Sequence, residues 1–318
     1  MKQPLLIALM AGAILVNAAC SVRKTAVNKI GDALASSGTT FAADDDPQLV
    51  REAVPFSLKL IESLLAESPR HRGLLLAAAS GFTQYTFAFI QQDADEAEDR
   101  DIAAATAMRT RAKKLYLRAR NYGLRGLEVK HPGFEKAVRS DPRKAAATIT
   151  KSSEAPFLYW TAAPWGAAIS ISKDDPDLIA DQLIVEALID RALELDEKFG
   201  DGAIHGFLIS YEQARQGVPG DAAVRSQKHF DRAVELSKGN LASPFVTFAE
   251  SVSIPKENRT QFVSLLKRAL MVDPNARPEW KLENLVMQRR AQWLLDRADR
   301  LFLDEPETPE KASPQPED

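Results

Sequence analysis

The sequence contains a single cysteine in 318 residues, which excludes a disulfide framework and a cysteine-rich zinc module. It also lacks an excess of either charge, because 41 lysines and arginines oppose 44 acidic residues and leave a net charge of −3. Nucleic acid binders need a basic surface that neutralises phosphates, so this balance argues against a DNA or RNA partner. Hydrophobic residues make up 45% of the chain, which is enough for a folded protein with a core.

Catalytic signatures are absent as well. None of the histidines is followed by glutamate, so there is no His-Glu-x-x-His zinc helix. The sequence has no Gly-x-Gly-x-x-Gly, no Gly-x-Ser-x-Gly and no Gly-Lys-Ser/Thr phosphate loop. We therefore expect a protein that is not an enzyme and that uses no cofactor and no metal.

The chain begins with a targeting segment. Residues 5–16 are almost wholly aliphatic, a run too short to cross a bilayer of about 30 Å as a helix but typical of a signal peptide. The only cysteine, Cys20, follows two alanines at the end of this run, which resembles the bacterial lipobox, whose thiol accepts a diacylglyceryl group. We predict a lipoprotein signal peptide at residues 1–19 and a lipid on Cys20. The alternative is cleavage after Ala19 by the ordinary signal peptidase, which leaves a free thiol.

The residue after the cysteine bears on location. It is Ser21 and not aspartate, and among lipoproteins this implies sorting to the outer membrane. We therefore expect a protein anchored by lipid to the periplasmic face of that membrane.

Apolar residues recur at spacings of three and four from about Ala53 onward, which predicts an all-α fold. A similar phrase ends three predicted helices, at Ala192–Asp196, Ala233–Ser237 and Ala269–Asp273, and each is followed by a polar turn and a second helix. This pattern resembles the tetratricopeptide (TPR) repeat, a helical hairpin in which a small alanine allows close packing. We predict a solenoid, that is, a repeat array of TPR-like helical hairpins.

Composition divides the chain around this body. The predicted helical domain covers residues 47–302, and a tether and N-terminal segment precedes it at residues 20–46. Residues 303–318 are rich in proline and glutamate, which predicts a disordered tail.

Charges are clustered in two neighbouring runs, an acidic one from Asp93 to Asp101 and a basic one from Arg109 to Arg120. We interpret both as solvated helix faces that pair across a loop, in preference to a docking surface. Within the basic run, Arg118 and Arg120 stand beside Tyr116 and Tyr122, and such guanidinium and hydroxyl donors can bind an anion.

An uncharged aromatic stretch covers residues 155–169 and contains Tyr159, Trp160, Trp165 and Gly166. Tryptophan is highly buried on average but needs a partner for its N–H group, so core packing is one interpretation. The aromatic rings beside small residues would equally form an apolar wall for a ligand. The residue pattern leaves both interpretations open.

Together, the lipobox, the TPR-like body and the segments 115–124 and 157–166 resemble the TatT family. Its members are TPR lipoproteins associated with tripartite ATP-independent periplasmic (TRAP) transporters. The resemblance extends over about residues 20–300 and implies an all-α protein tethered to a membrane, able to form a homotrimer, with a cleft or pore open to ligand. The implied partner is the periplasmic solute-binding protein, TatP. The residues that match the family segments, and that the resemblance implies for ligand binding, are Tyr116, Arg118, Arg120, Tyr159, Trp160, Trp165 and Gly166.

We therefore expect a protein that docks the solute-binding protein of a TRAP transporter and relays a small organic ligand, apolar or carboxylate. The alternative function is a TPR scaffold for envelope protein complexes that binds no small molecule. A solute or lipid bound to the purified protein would argue against the scaffold.

Overall fold

The chain is mainly helical over the residues that a computed structural model describes, 28–34 and 38–302, and these ranges contain no β-strand. The predicted all-α fold is confirmed. The predicted signal peptide at residues 1–19, the lipidated Cys20 and the tail at residues 303–318 lie outside the described residues.

The helices have unequal lengths, from four to 29 residues. Turns of π-helix follow α3 at Phe87–Gln91 and α13 at Ala249–Ser253. In chain order the helices are α1 (Gly38–Ala42), α2 (Pro47–Glu67), α3 (Arg72–Thr86), α4 (Gln92–Ala97), α5 (Ile102–Lys130), α6 (Phe134–Ser140), α7 (Pro142–Ala147), α8 (Ala155–Ser170), α9 (Pro176–Ala180), α10 (Gln182–Leu195), α11 (Ala203–Ala214), α12 (Ala222–Leu236), α13 (Ser243–Phe248), α14 (Arg259–Met271), α15 (Lys281–Leu295) and α16 (Ala298–Leu301).

Capping residues fix where several helices begin. The side chain of Asp46 accepts hydrogen bonds from the backbone N–H groups of Gln48 and Leu49, both at 3.0 Å, and Pro47 occupies the first turn of α2. Such caps satisfy N–H groups that have no partner within the helix. Asp101 and Asn258 cap α5 and α14 in the same way.

Helix α5 lies at the centre of the N-terminal half, between α3 and α8. Two of its glycines face α8. A Cβ atom on Gly126 would lie 2.0 Å from Cε1 of Phe157, and one on Gly123 would lie 2.3 Å from Oγ1 of Thr161. Helices α5 and α8 therefore pack this closely only because neither position carries a side chain.

The predicted hairpins are found in part. The alanines of the repeated phrase, Ala192, Ala233 and Ala269, are all buried. Of the predicted hairpins, α12 packs on α13 and α14 packs on α15, whereas α11 packs mainly on α12, which belongs to the next predicted hairpin. Helix α10, however, packs mainly on α8 and makes few contacts with α11. A regular TPR-like solenoid is thus not confirmed, because short helices and π-helical turns interrupt the repeat.

The acidic run joins the two ends of the fold. Arg290 of α15, only 8% exposed, donates to Glu250 at 2.7 and 2.8 Å and to Asp95 at 3.2 Å. Arg289 and Arg297 likewise pair with acidic residues between positions 93 and 99. From the basic run, Arg109 pairs with this segment. The predicted pairing across the loop is present at Arg109, but the acidic run is not solvated along its whole length. Asp93, Asp95 and Glu96 are partly buried, and most cationic partners of the run come from the C-terminal helices.

The first described residues, 28–34, lie against the turn between α2 and α3. Oδ1 of Asn28 accepts a hydrogen bond from Oγ of Ser68 at 2.8 Å. A Cβ atom on Gly31 would lie 2.9 Å from Cδ1 of Leu74.

One stretch, Arg72–Ala97, is long and apolar enough to cross a membrane by length and composition. More than half of its most apolar window is buried inside the protein. This stretch forms the core of the N-terminal half, with Leu74 and Leu75 fully enclosed.

Candidate functional site

Trp165, predicted from the aromatic stretch, lies in the core. It is fully buried, and its Nε1 donates to Oδ2 of Asp181 at 3.1 Å. The guanidinium carbons of Arg120 and Arg139 lie 4.7 and 5.5 Å from the centre of its ring. Burial and the neighbouring Arg139 lower the pKa of Arg120. Trp165 and Arg120 therefore join α5, α6 and α8 and support the fold from within.

Tyr116 and Gly166 also have packing roles. Tyr116 is fully buried and donates from its hydroxyl to Oε1 of Gln91 at 2.7 Å, and burial raises its pKa. A Cβ atom on Gly166 would lie 3.0 Å from Cζ of Phe207, so the glycine allows α11 to approach α8. These contacts fix the position of α8.

The first half of the aromatic stretch is more accessible. Tyr159 and Trp160 are both half-buried, and their rings meet edge to face with centroids 4.8 Å apart. On its other side Tyr159 contacts Phe199 at 5.3 Å. Its hydroxyl forms no hydrogen bond with any residue that the structure describes. Burial, with a smaller contribution from the carboxylate of Glu283, raises the pKa of Tyr159.

Glu283 reaches this aromatic cluster from α15, at the other end of the sequence. Its neighbour Leu282 packs against the same core as Tyr159 and Phe199. Glu283 is exposed to solvent, and its carboxylate accepts a hydrogen bond from Oγ of Ser243 at 2.6 Å. We call Tyr159, Trp160, Phe199, Ser243 and Glu283 together the α8–α15 cluster.

Arg118 contributes to a separate surface groove with a volume of about 510 Å³. Its guanidinium carbon lies 5.4 Å from the ring centre of Phe82, and its Nε lies 3.6 Å from Oε1 of Glu62. Tyr122 donates to the same carboxylate at 2.7 Å. We call this the basic groove, and it is lined by Lys114, Leu117, Arg118, Asn121, Tyr122 and Arg125.

The predicted anion-binding residues are thus divided. Arg118 and Tyr122 meet at the basic groove, whereas Arg120 points to Trp165 and Tyr116 is enclosed. The sequence pattern did not point to Phe199, Ser243 or Glu283. These three residues come to the α8–α15 cluster from distant parts of the chain, and no local pattern marks them.

A metal site does not emerge from the described ranges. No group of three or more histidine, cysteine, aspartate or glutamate side chains there could hold a metal ion. Two candidate sites therefore remain. The α8–α15 cluster offers aromatic rings, hydroxyl groups and one carboxylate, and the basic groove offers cationic side chains.

Two comparisons with known proteins relate this chain to a family. The family model of TRAP transporter T-components matches residues 43–302. An uncharacterized protein of Treponema pallidum (strain Nichols) is 30% identical to the chain over 267 residues, which cover 83% of each protein. The match includes both the aromatic stretch and the basic groove.

Proposed function

Because the chain belongs to the TRAP transporter T-component family, we propose that it docks the periplasmic solute-binding protein of a TRAP transporter and relays a small organic ligand to it. Family membership assigns the chain to TRAP transport and to the cell envelope. The chain would act by binding, without chemical change of the ligand. A lipid on Cys20 would hold it at the periplasmic face of the outer membrane.

The aromatic part of the α8–α15 cluster is the observation that best supports ligand binding. Half-buried aromatic rings beside a few polar groups are typical of small-molecule sites. In this proposal Tyr159 and Trp160 contact the ligand. Tyr116, Arg120, Trp165 and Gly166 act indirectly, because they hold α8 in position.

We assign partner docking to the basic groove. Arg118 and its neighbours give this face an excess of positive charge on a protein whose net charge is −3. A positive patch attracts an acidic surface and accelerates the encounter. The α12–α13 and α14–α15 pairs, which we interpret as divergent TPR hairpins, would extend the contact surface.

We also propose a homotrimer that forms through α2. Leu49 and Phe56 are 55% and 75% exposed and lie seven residues apart, on one face of this helix. Exposed apolar side chains on one face are typical of an interface.

The docking proposal is tested by capture from periplasmic extract with the tagged protein, followed by mass spectrometry. Arg118→Glu should reduce recovery of the TRAP solute-binding protein at least tenfold, because it reverses charge in the groove. Lys173→Glu, a charge reversal at an exposed position elsewhere, should leave recovery unchanged. Recovery by the unaltered protein of envelope assembly proteins alone would contradict docking and favour the scaffold.

The ligand proposal is tested separately by native mass spectrometry of the purified protein. Trp160→Ala should reduce the amount of co-purified ligand while the helical circular dichroism signal stays unchanged. Trp160→Phe, which keeps an aromatic ring, should retain most of it. Equal loss of helicity and ligand in Trp160→Ala would assign this tryptophan to the core.

A further inference from the structure

The basic groove carries an excess of positive charge, and the same chain contains a segment of opposite charge. Residues 303–318, which we call the acidic segment, have six acidic side chains against one lysine, so their net charge is −5. We propose that the acidic segment binds in the basic groove of its own chain and competes there with the docking partner. The inference rests on the docking role proposed for the groove and adds a means of regulating it.

The first argument is that the cations of the groove are poorly neutralised. Lys114 is exposed and forms no ion pair or hydrogen bond with the residues that the structure describes. The side chain of Arg118 is 47% exposed, and its acidic neighbour is Glu62, with 3.6 Å between Nε and Oε1. That carboxylate already accepts hydrogen bonds from Lys59 at 2.5 Å and from Tyr122 at 2.7 Å. Arg118 therefore keeps donors for a further carboxylate.

The second argument is that two arginines of the groove are held on one aromatic stack. The rings of Phe82 and Tyr122 lie nearly parallel, with centroids 6.0 Å apart. The guanidinium carbon of Arg118 lies 5.4 Å from the centre of the Phe82 ring. That of Arg125 lies 5.3 Å from the centre of the Tyr122 ring. Contact with an aromatic face restricts a guanidinium group, so less entropy is lost when it binds a carboxylate.

The cations of the groove also form a row that suits an extended chain. In chain order they are Lys114, Arg118 and Arg125. Intervals of four and seven residues place them on one face of α5, about 6 and 10 Å apart along the helix axis. Residues two and three positions apart in an extended chain lie about 7 and 10 Å apart. The acidic segment has this spacing at Glu305, Glu307 and Glu310, and its four prolines favour extended backbone.

The third argument is where the acidic segment is attached. It follows Phe302, and two residues earlier Nη1 of Arg300 lies 3.0 Å from Oδ2 of Asp99. Asp99 stands three residues before the start of α5, so the attachment point lies near that end of the helix. From Ile102, the cations of the groove lie about 18 to 35 Å along the helix axis. The 16 residues of the segment span about 50 Å when extended, so they reach the whole groove.

Attachment to the same chain makes the segment an effective competitor. A linked segment reaches an effective concentration of about 1 mM when its span matches the distance to its site. Even a weak ionic contact would then keep the groove occupied. An acidic partner surface would have to displace the segment, which raises the affinity that docking requires.

The test is fluorescence anisotropy with a labelled synthetic peptide of residues 303–318. The peptide is added to the purified protein and to an amide-segment variant, whose own segment keeps its length but loses its negative charges. The variant carries Asp304→Asn, Glu305→Gln, Glu307→Gln, Glu310→Gln, Glu317→Gln and Asp318→Asn. We expect the peptide to bind the variant at least about tenfold more tightly than the unaltered protein, because the groove of the variant is open.

Two further substitutions in the amide-segment variant locate the bound peptide. Arg118→Glu should weaken peptide binding at least about tenfold, because it reverses a charge in the groove. Lys173→Glu, a charge reversal at an exposed position elsewhere, should leave peptide binding unchanged. In the capture experiment, the amide-segment variant should recover at least about threefold more TRAP solute-binding protein than the unaltered protein does.

Other results would overturn the inference in distinguishable ways. Equal peptide affinity of the two proteins, or no binding to either, would contradict occupation of the groove by the segment. Peptide binding that Arg118→Glu leaves unchanged would place the peptide elsewhere. A difference that grows with protein concentration would mean that the segment enters the groove of a second copy, against binding within one chain.

The two experiments also separate this inference from the docking proposal. If the peptide results are as expected but neither protein recovers a TRAP solute-binding protein, the occupied groove stands and docking fails. If recovery is lost in Arg118→Glu but is the same for the unaltered protein and the amide-segment variant, docking stands and competition by the segment is overturned.

Discussion

A pair of histidines connects α11 to α12 through their ring nitrogens. The Nδ1 atoms of His205 and His229 lie 2.8 Å apart, so one ring donates a proton to the other and the accepting ring is neutral. Burial, with the neighbouring His229, lowers the pKa of His205 to about 4. Burial also lowers the pKa of His229. The folded protein therefore takes up protons here less readily than the unfolded chain does.

This difference predicts a loss of stability in acid. The unfolded chain binds more protons below its histidine pKa of about 6.5, so the free energy of unfolding should fall from that pH down to about 4. The expected loss from His205 is on the order of 3 kcal/mol. Urea unfolding at pH 7.5 and pH 5 measures the part of this loss that develops above pH 5, on the order of 2 kcal/mol. His205→Gln should show a smaller pH dependence, and an unchanged dependence in this variant would place the acid sensitivity elsewhere.

Two tryptophans show what the sequence can predict about single residues. Trp160 and Trp165 stand five positions apart in one uncharged stretch, and the pattern left core and pocket wall equally open. Arg139 and Asp181, which enclose Trp165, come from α6 and from the residue before α10. Distant residues therefore decide which of the two tryptophans is buried, and no local spacing reveals them.

Among the helices, the contact between α5 and α8 depends most on residue size. A Cβ atom on Gly126 would overlap the ring of Phe157 at 2.0 Å, so the two helices would have to separate or the ring would have to rotate. Rotation of the ring would also disturb the guanidinium of Arg72, which lies 4.3 Å from its centre. The position of α8 depends on this contact, and so does the position of Tyr159 and Trp160, which α8 carries.

We expect Gly126→Ala to lower the free energy of unfolding by about 1–3 kcal/mol, as is usual for overpacking. Gly206 in α11 provides the matched control, since a Cβ atom there would meet nothing within 4 Å. Gly206→Ala should be neutral or stabilise by about 0.5–1 kcal/mol, because alanine favours the helix. Denaturant midpoints compare the two. Equal effects of both substitutions would contradict the close packing of α5 on α8.

Helix positions were predictable to a large extent, and helix partners were not. The sequence predicted a second helix after the repeated phrase at Ala192–Asp196 and another after the one at Ala269–Asp273, and the structure has α11 at Ala203–Ala214 and α15 at Lys281–Leu295. Apolar periodicity reveals the stripe that a helix buries but not the surface that covers it. The repeat pattern paired α10 with α11. In the structure α10 packs mainly on α8, whose small residues allow the close approach.

For the whole molecule, the decisive contact is the one that joins its ends. Arg290 lies between Glu250 and Asp95, and its own charge is nearly enclosed. Since α15 also carries Glu283, this contact holds that residue of the α8–α15 cluster in place. Closure of the fold and formation of the candidate ligand site are therefore coupled.

Removal of this arginine should be costly. Arg290→Leu leaves the carboxylate of Glu250 without its arginine and that of Asp95 with Arg109 alone, and we expect a loss of about 3 kcal/mol. Arg300→Leu removes an arginine that is 72% exposed and pairs with Asp99, and we expect a loss of less than about 1 kcal/mol. Urea unfolding measures both. A small effect of Arg290→Leu would mean that the C-terminal helices are held mainly by apolar contacts.

The contact of residues 28–34 with the turn between α2 and α3 limits how far the body can stand from a membrane. Seven residues lie between Cys20 and Asn28, and the eight Cα–Cα steps that join these two residues span at most about 28 Å when fully extended. Arg125 of the basic groove donates to the carbonyl oxygen of Pro69 in the same turn. With a lipid on Cys20, that end of the groove would lie close to the bilayer. A docking partner would then have to fit into the narrow space between the groove and the membrane surface.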